Sequence, residues 1–380
     1  MLLETAYNPP LTQQAIDEIY HATTRGGVLS VYLDTTPARV KGFGHTLALR
    51  DGCKALRSRI APAERDAFEA SVARVERFLQ EDFEPRHAGL AAFVSGDGEF
   101  FSVVDLPAAP REGVGWDERP QIAQVEEALD EYERVAVVLF DKETARLFTV
   151  YLGGIEESVV VRDEVPGKQS TGEWFGLAQT RYARHHEEHV MRHVKHAIRV
   201  LMNELRSRPF DRLIIGGPDE AISMLEHHLP RPLKSRLAGT INVEMFAGAA
   251  RVLQASLAQM ELIERREELA AVQSLLEGAG STHNSLGLEA TLGALAEGRV
   301  YRLFIANEFR APGSQCESCG RLIVGEGNCT SCGAGTTAVT DLRESIVRAA
   351  IDQGATIETV YGEAAELLAP HGGLGAWVRY

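Results

Sequence analysis

Residues 180–206, TRYARHHEEHVMRHVKHAIRVLMNELR, followed at 211–217 by DRLIIGG, decide how this chain is to be read. On a helix turning about 100° per residue, Met191, Val194, Ile198, Leu201 and Leu205 fall on one face, which is expected to be buried. Arg181, Arg184, Arg192, Lys195 and Arg199 gather on a second face. His185, His189, His193 and His196 form a strip beside it, expected to be a polar surface or a contact with RNA. DRLIIGG is a run of aliphatic residues ended by glycines, the pattern of a strand buried on both sides. A long amphipathic helix feeding such a strand predicts an α/β layer.

The flanks extend this pattern. RVAVVLFDKETARLFTVYLG (134–153) reads as two strands joined by a polar turn, and EESVVVRD (156–163) as a third. A loop over 163–178 then leads into the helix. Beyond DRLIIGG, PDEAISMLEHHLP is helical, INVEMF (241–246) reads as a strand and 249–277 as a long helix. Upstream, GGVLSVYLDT (26–35), AGLAAFVSG (88–96) and EFFSVVDLP (99–107) read as strands around two amphipathic helices, with loop over 107–120. Downstream, GSTHNSLG (280–287) punctuates the chain before a helix, the strand VYRLFIA, a cysteine cluster, a helix over 341–354 and the strand TIETVYG. The expectation is an α/β protein of three domains: 1–127, 128–278 and 279–380.

Bulk properties agree with several domains. The 380 residues exceed one ordinary core, and 44% hydrophobic with 24% charged residues is usual for a globular protein. No apolar run is long enough to span a membrane, and the N-terminus lacks the pattern of a signal peptide, so a cytoplasmic protein with no membrane partner is expected. The formal net charge of −15 argues against indiscriminate binding to nucleic acid. The helix 180–206 reverses that sign locally: Arg181, Arg184, Arg192, Lys195, Arg199 and Arg206 stand against three glutamates. Such a stripe is either a solvated face or a phosphate-binding one.

Four of the five cysteines form C-x2-C pairs, Cys316/Cys319 and Cys329/Cys332, each followed by glycine. Two such knuckles make a closed site of four thiolates, which is the chemistry of structural zinc. The ion would hold together a mini-domain over 313–336 that is too small to bury a core. An iron–sulfur or redox centre is the alternative. Cys53, in a helical pattern, reads as a packed thiol.

Gln179 precedes the basic face, after a loop containing Gly167, Gly172 and Gly176. A glutamine does not titrate near neutrality, but its amide can orient a water and its backbone N–H can stabilise an oxyanion. An ordinary loop glutamine is the simpler reading. His185 and His189 lie four apart, but His186 occupies the position where the H-E-x-x-H zinc motif needs glutamate.

Three stretches together resemble the archaeal and eukaryotic class 1 peptide-chain release factors, with their Pelota-type rescue relatives and bacterial cousins. TRYARHHEEHVMRHVKHAIRVL is similar to the arginine-rich helix that follows the family's Gly-Gly-Gln loop. EATLGALAEGRVYRLFIANE resembles the start of the third domain, and GATIETVYGEAAELLAPHGGLGAWVRY its end. DRLIIGGPDE fits the central domain, and archaeal members carry a four-cysteine insert in the third. The resemblance covers about 125–380 well.

The resemblance implies a release-factor-like architecture: an α/β N-terminal domain, an α/β central domain, and a ribosomal-protein-like α/β C-terminal domain with an inserted zinc ribbon. It implies a monomeric tRNA mimic that enters the ribosomal A site, with rRNA, P-site tRNA and a translational GTPase as partners. Gly176 and Gln179 then take the catalytic tip's place, with Gln179 setting water against the peptidyl-tRNA ester. Without gaps, Phe175, Gly176 and Leu177 align with Gly-Gly-Gln, so Gln179 comes two residues late. TTPARVKGFGHT offers no Asn-Ile-Lys-Ser stop-codon motif. The expected function is termination or ribosome rescue, or, without catalysis, ribosome hibernation by occupation of the site. A hydrolase of free RNA, with Asp130, Glu131 and Glu133 as its nearest acidic set, and an interaction protein built on the zinc ribbon are the other classes left open.

Overall fold

The computed structural model describes residues 11, 13–22, 26–151, 153–163, 176–278 and 280–379, with side chains for all of these but 176–186. The chain divides into two compact units, Met1–Glu131 with Glu267–Tyr380, and Tyr132–Arg266.

The first half of the outer unit runs α1 (Gln13–Tyr20), β1 (Val28–Asp34), α2 (Pro37–Lys41), α3 (Gly44–Arg57), α4 (Arg65–Glu81), β2 (Gly89–Ser95), β3 (Phe101–Leu106), β4 (Gly113–Asp117) and α5 (Ala123–Glu131). Its strands form an antiparallel sheet in the order β3-β2-β1-β4. Leu49 and Cys53 of α3 and Phe68, Val72 and Val75 of α4 cover one face, so Cys53 is the packed thiol its helical spacing predicts. Strand β4 corrects the expectation of loop over 107–120. Its glycines weaken the strand signal, yet Gly52 of α3 needs its neighbour there: a Cβ on Gly52 would meet Val114 Cγ2 at 2.4 Å.

The central unit holds β5 (Val135–Phe140), β6 (Thr144–Tyr151), β7 (Gly154–Arg162), α6 (Gly176–Ser207), β8 (Arg212–Gly216), α7 (Asp219–His228), α8 (Arg231–Lys234) and β9 (Leu237–Ile241), and most of α9 (Ala249–Glu277). The sheet order is β7-β6-β5-β8-β9, with β5, β8 and β9 parallel. Successive residues of β5 serve opposite faces. Ala136, Val138 and Phe140 join Val194, Ala197 and Leu201 of α6, while Val135, Val137 and Leu139 join Val252, Met260 and Ile263 of α9. Strand β9 is displaced from the expected 241–246. Its partner β8 ends at Gly216, opposite Ile241, so the residues beyond have no edge to pair with. They form a loop tied down by Arg146, which donates to the carbonyls of Met245 (2.7 Å) and Ala247 (2.9 Å).

The second half of the outer unit comprises β10 (Asn284–Leu286), α10 (Leu288–Ala296), β11 (Val300–Ala306), β12 (Gly313–Cys316), β13 (Leu322–Ile323), β14 (Thr336–Val339), α11 (Arg343–Asp352), β15 (Thr356–Val360), α12 (Gly362–Leu368) and β16 (Leu374–Val378). The main sheet is ordered β10-β16-β11-β15, and a small sheet, β13-β12-β14, carries the cysteines. The two halves are joined by charge. Glu344 of α11 accepts the N–H groups of Ile122 (2.9 Å) and Ala123 (3.1 Å), capping α5 from a distant part of the chain. Glu127 of α5 binds Arg111 at 2.6 Å and Arg343 at 3.2 Å, and Arg348 meets Asp117 at 3.0 Å. Burial pushes the Glu344 carboxyl up to about 7, against the pull of Arg348 and the two N–H donors.

Candidate functional site

Helix α6 begins at Gly176 rather than at 180, so Gly176 and Gln179 lie in its first turn. The loop over 164–175 and the side chains of 176–186, including those of Gln179, Arg181 and Arg184, lie outside the described residues. From Glu187 onward the amphipathic pattern is plain. Val190, Val194, Ala197 and Leu201 are buried, with Met191, Ile198 and Leu205 half-buried beside them. Arg192, Lys195 and Arg199 are exposed, and their spacing of three and four residues sets them in one stripe. At 1.5 Å per residue the stripe spans about 10 Å of the helix.

The histidine strip is corrected. His193 is fully buried rather than part of a polar surface. Its ring stacks on Phe140, the last residue of β5, at 5.0 Å between centroids and 8° between planes. Its Nδ1 lies 2.7 Å from Asp163 Oδ2, and Nδ1 of His196, one turn on, lies 3.0 Å from the same oxygen. One carboxylate just beyond the end of β7 thus clamps two imidazoles of α6. Burial works to raise the Asp163 carboxyl, but the hydrogen bonds from His193 and His196 outweigh it and hold it below the usual aspartate range. Among the described residues, His193 Nε2 is buried without a hydrogen-bond partner. Glycine makes room next to the stack: Gly217, just after β8, has φ +136°, and a Cβ there would lie 2.1 Å from the Phe140 carbonyl oxygen.

Sequence reasoning missed Asp163 and Phe140. The available signal was the aspartate closing the apolar run of EESVVVRD, together with two histidines three apart on an otherwise apolar flank.

The cysteines converge as their spacing predicts. The Sγ atoms of Cys316, Cys319, Cys329 and Cys332 all lie within 4.8 Å of one another. Three of the separations are 3.4, 3.6 and 3.7 Å. A tetrahedron of thiolates about 2.3 Å from zinc has edges of about 3.8 Å, so the four sulfurs fit such an ion. Gly320 and Gly333, directly after each pair, adopt φ of +71° and +75°. Their N–H groups close the turns onto the carbonyls of Cys316 and Cys329. Backbone N–H groups aimed at the sulfurs lower the Cys316 thiol and bring Cys329 down to about 6, while hydrogen bonds with the neighbouring thiols raise Cys319.

Residues 120–261, from the approach to α5 into α9, match the model of bacterial archaeo-eukaryotic release factor family 10. The chain is 22% identical over 222 residues to YocB of Bacillus subtilis (strain 168), covering 55% of this chain and 85% of that one. Among solved structures it is similar to an archaeal translation termination factor, aRF1, at 18% identity over 97% of this chain and 96% of that chain, with a TM-score of 0.26. It is also similar to Pelota of Archaeoglobus fulgidus, at 14% identity over 77% and 79% of the two chains, with a TM-score of 0.34. The family match thus spans the central sheet and α6, and over that segment the chain is similar to the bacterial archaeo-eukaryotic release factors.

Proposed function

We propose that this chain binds the ribosomal A site and acts there in translation termination or ribosome rescue. The observation that carries the reading is the exposed stripe Arg192, Lys195 and Arg199 on α6, inside the segment matched to the release-factor family. Three cations on one rigid helix face, in a protein of net charge −15, suit the phosphate backbone of rRNA or P-site tRNA. In the hydrolytic form of the proposal, the Gln179 amide orients a water for attack on the ester carbonyl of peptidyl-tRNA. The proton leaves with the tRNA 3′-oxygen, and backbone N–H groups at the start of α6 favour the developing oxyanion.

A second reading is favoured by a specific departure. Leu177 stands where the family carries glutamine, and Gln179 lies within the first turn of α6 rather than ahead of it. In that reading the protein occupies the site without catalysis, protecting the ribosome or recruiting a translational GTPase. In both readings the four cysteines hold a zinc ion with no open position for water, so its role is to stabilise the small sheet. The proposal also takes the protein to be cytoplasmic and monomeric, with three domains bounded at 127/128 and 278/279.

The test uses purified ribosomes loaded with peptidyl-tRNA. The variant Arg192→Glu/Lys195→Glu/Arg199→Glu is expected to lose at least about tenfold in ribosome affinity by co-sedimentation. Unchanged binding would overturn the proposal. Peptide release that disappears in Gln179→Ala supports the hydrolytic form, whereas binding with no release at all supports the second reading.

A further inference from the structure

Helix α6 carries its basic stripe away from its first turn and ends, about 48 Å from its start, in a second cationic region. This region is the end of the central sheet where β5 and β8 begin. Two segments build it, RSRPFDR (206–212) and RPLKSR (231–236). Backbone hydrogen bonds fix them side by side. The N–H groups of Asp211 and Arg212 bond the Arg134 carbonyl, and that of Leu213 bonds the Arg236 carbonyl. Arg236 locks the two segments together by donating to the Phe210 carbonyl (3.0 Å) and the Pro232 carbonyl (2.9 Å). Phe210 and Leu233 are anchored in the same core beneath.

Some of the charge here is already balanced. Arg212 pairs with Glu133 at 2.5 Å, Arg208 reaches Glu156 at 3.4 Å, and the Asp211 carboxylate accepts the N–H of Arg134 at 3.1 Å. Arg206, Arg231 and Lys234 are exposed, and among the described residues they form no ion pair. Arg134 lies over the Tyr151 ring at 4.7 Å, which puts an aromatic beside the cations.

We infer that this end of the central unit is a further RNA-binding surface, beyond Arg192, Lys195 and Arg199, with Arg206 at the end of α6 and Arg231 and Lys234 beside it contacting phosphates. Two observations, and the chemistry of the guanidinium group, favour RNA over a protein partner. None of the large exposed hydrophobic residues lies in 206–212 or 230–236, so the apolar anchors of a protein interface are missing. Pro209, Pro230 and Pro232 stiffen the backbone that presents the cations, which suits a ligand of regular charge spacing. Guanidinium forks match phosphate geometry in pairs of hydrogen bonds. The choice of RNA as the anion rests on the reading of the protein as a ribosome-binding factor, but the surface itself does not.

The test measures the full-length protein against a labelled RNA hairpin by fluorescence anisotropy across a KCl series, and against ribosomes by co-sedimentation. Arg206→Glu/Arg231→Glu/Lys234→Glu is expected to weaken hairpin binding about tenfold or more. It should also lower the slope of log affinity against log salt by roughly two to three, one for each lost phosphate contact. The corresponding glutamine variant, which adds no repulsion, should lose the same slope with a smaller drop in affinity. If both variants keep the parent affinity and slope, the inference is overturned. If they do so while the α6 variant still loses ribosome binding, only this surface fails and the proposed function stands. If the end variant loses binding and the α6 variant does not, this surface stands and the reading of the α6 stripe fails.

Discussion

Asp163 is a single acidic group on which two imidazoles depend, and its removal should be felt in a pH-specific way. Asp163→Asn keeps the shape and one acceptor but loses the charge, so at pH 7 it is expected to cost about 1–2 kcal/mol of stability. The carboxyl is held below its unfolded value of about 3.9, so the native state binds fewer protons than the unfolded one. Its stabilisation is therefore complete above that value and is lost as pH falls through the lower, folded one. Thermal melts between pH 2.5 and 7 (approximate limits set by the reference carboxyl range) should show the wild type falling faster than the variant at the acid end. Parallel curves would rule the clamp out as a charge effect. At this scale the sequence was legible where a residue's chemistry is self-contained. The cysteine spacing announced its own convergence, and Arg192, Lys195 and Arg199 of α6 face solvent as their periodicity requires. It was illegible for His193, because stacking on Phe140 depends on a strand about fifty residues away that no helical wheel contains.

Among the elements, α5 depends most on a remote partner. A nine-residue helix is marginal alone, and its first N–H groups are satisfied by Glu344. Glu344→Ala is expected to cost about 1–2 kcal/mol through loss of the cap. The pH dependence runs opposite to that of Asp163. The folded carboxyl sits at about 7, above its unfolded value, so the native state holds the extra proton. Its contribution is greatest at acid pH and declines as pH rises from the unfolded value towards 7, then levels off. Glu344→Gln should flatten that decline in a melting series, and an unchanged series would show that the carboxyl is ionised throughout. Element type was read from periodicity with little loss for α6, α9 and β5. Errors came where pairing, not pattern, decides: INVEMF alternates like a strand but runs past the end of β8, and GVGWD breaks up its Val114 and Trp116 with glycines yet pairs with β1.

For the whole chain, the small sheet β13-β12-β14 buries few apolar groups, and its integrity is expected to follow the metal. The protein as purified should carry about one zinc per chain. Chelation, or Cys329→Ser, should unfold that sheet while leaving the central unit's melting transition in place, as followed by metal analysis and proteolysis of 313–340. Metal-free protein with the same protection would remove the zinc reading. The α/β class was legible because each sheet announces itself within a short stretch of chain. The two-unit division was not, because it depends on which segments meet after folding.

That division bears on how the protein is made. The outer unit is split around the central one, and the carboxylate that caps α5 lies 222 residues further along the chain. During synthesis the first half of the outer unit emerges long before Glu344 exists, while the central unit has all its strands once Ile241 is out. The order of assembly is thus written into the topology: the interior segment can fold on the nascent chain, and the outer unit must wait for its last third.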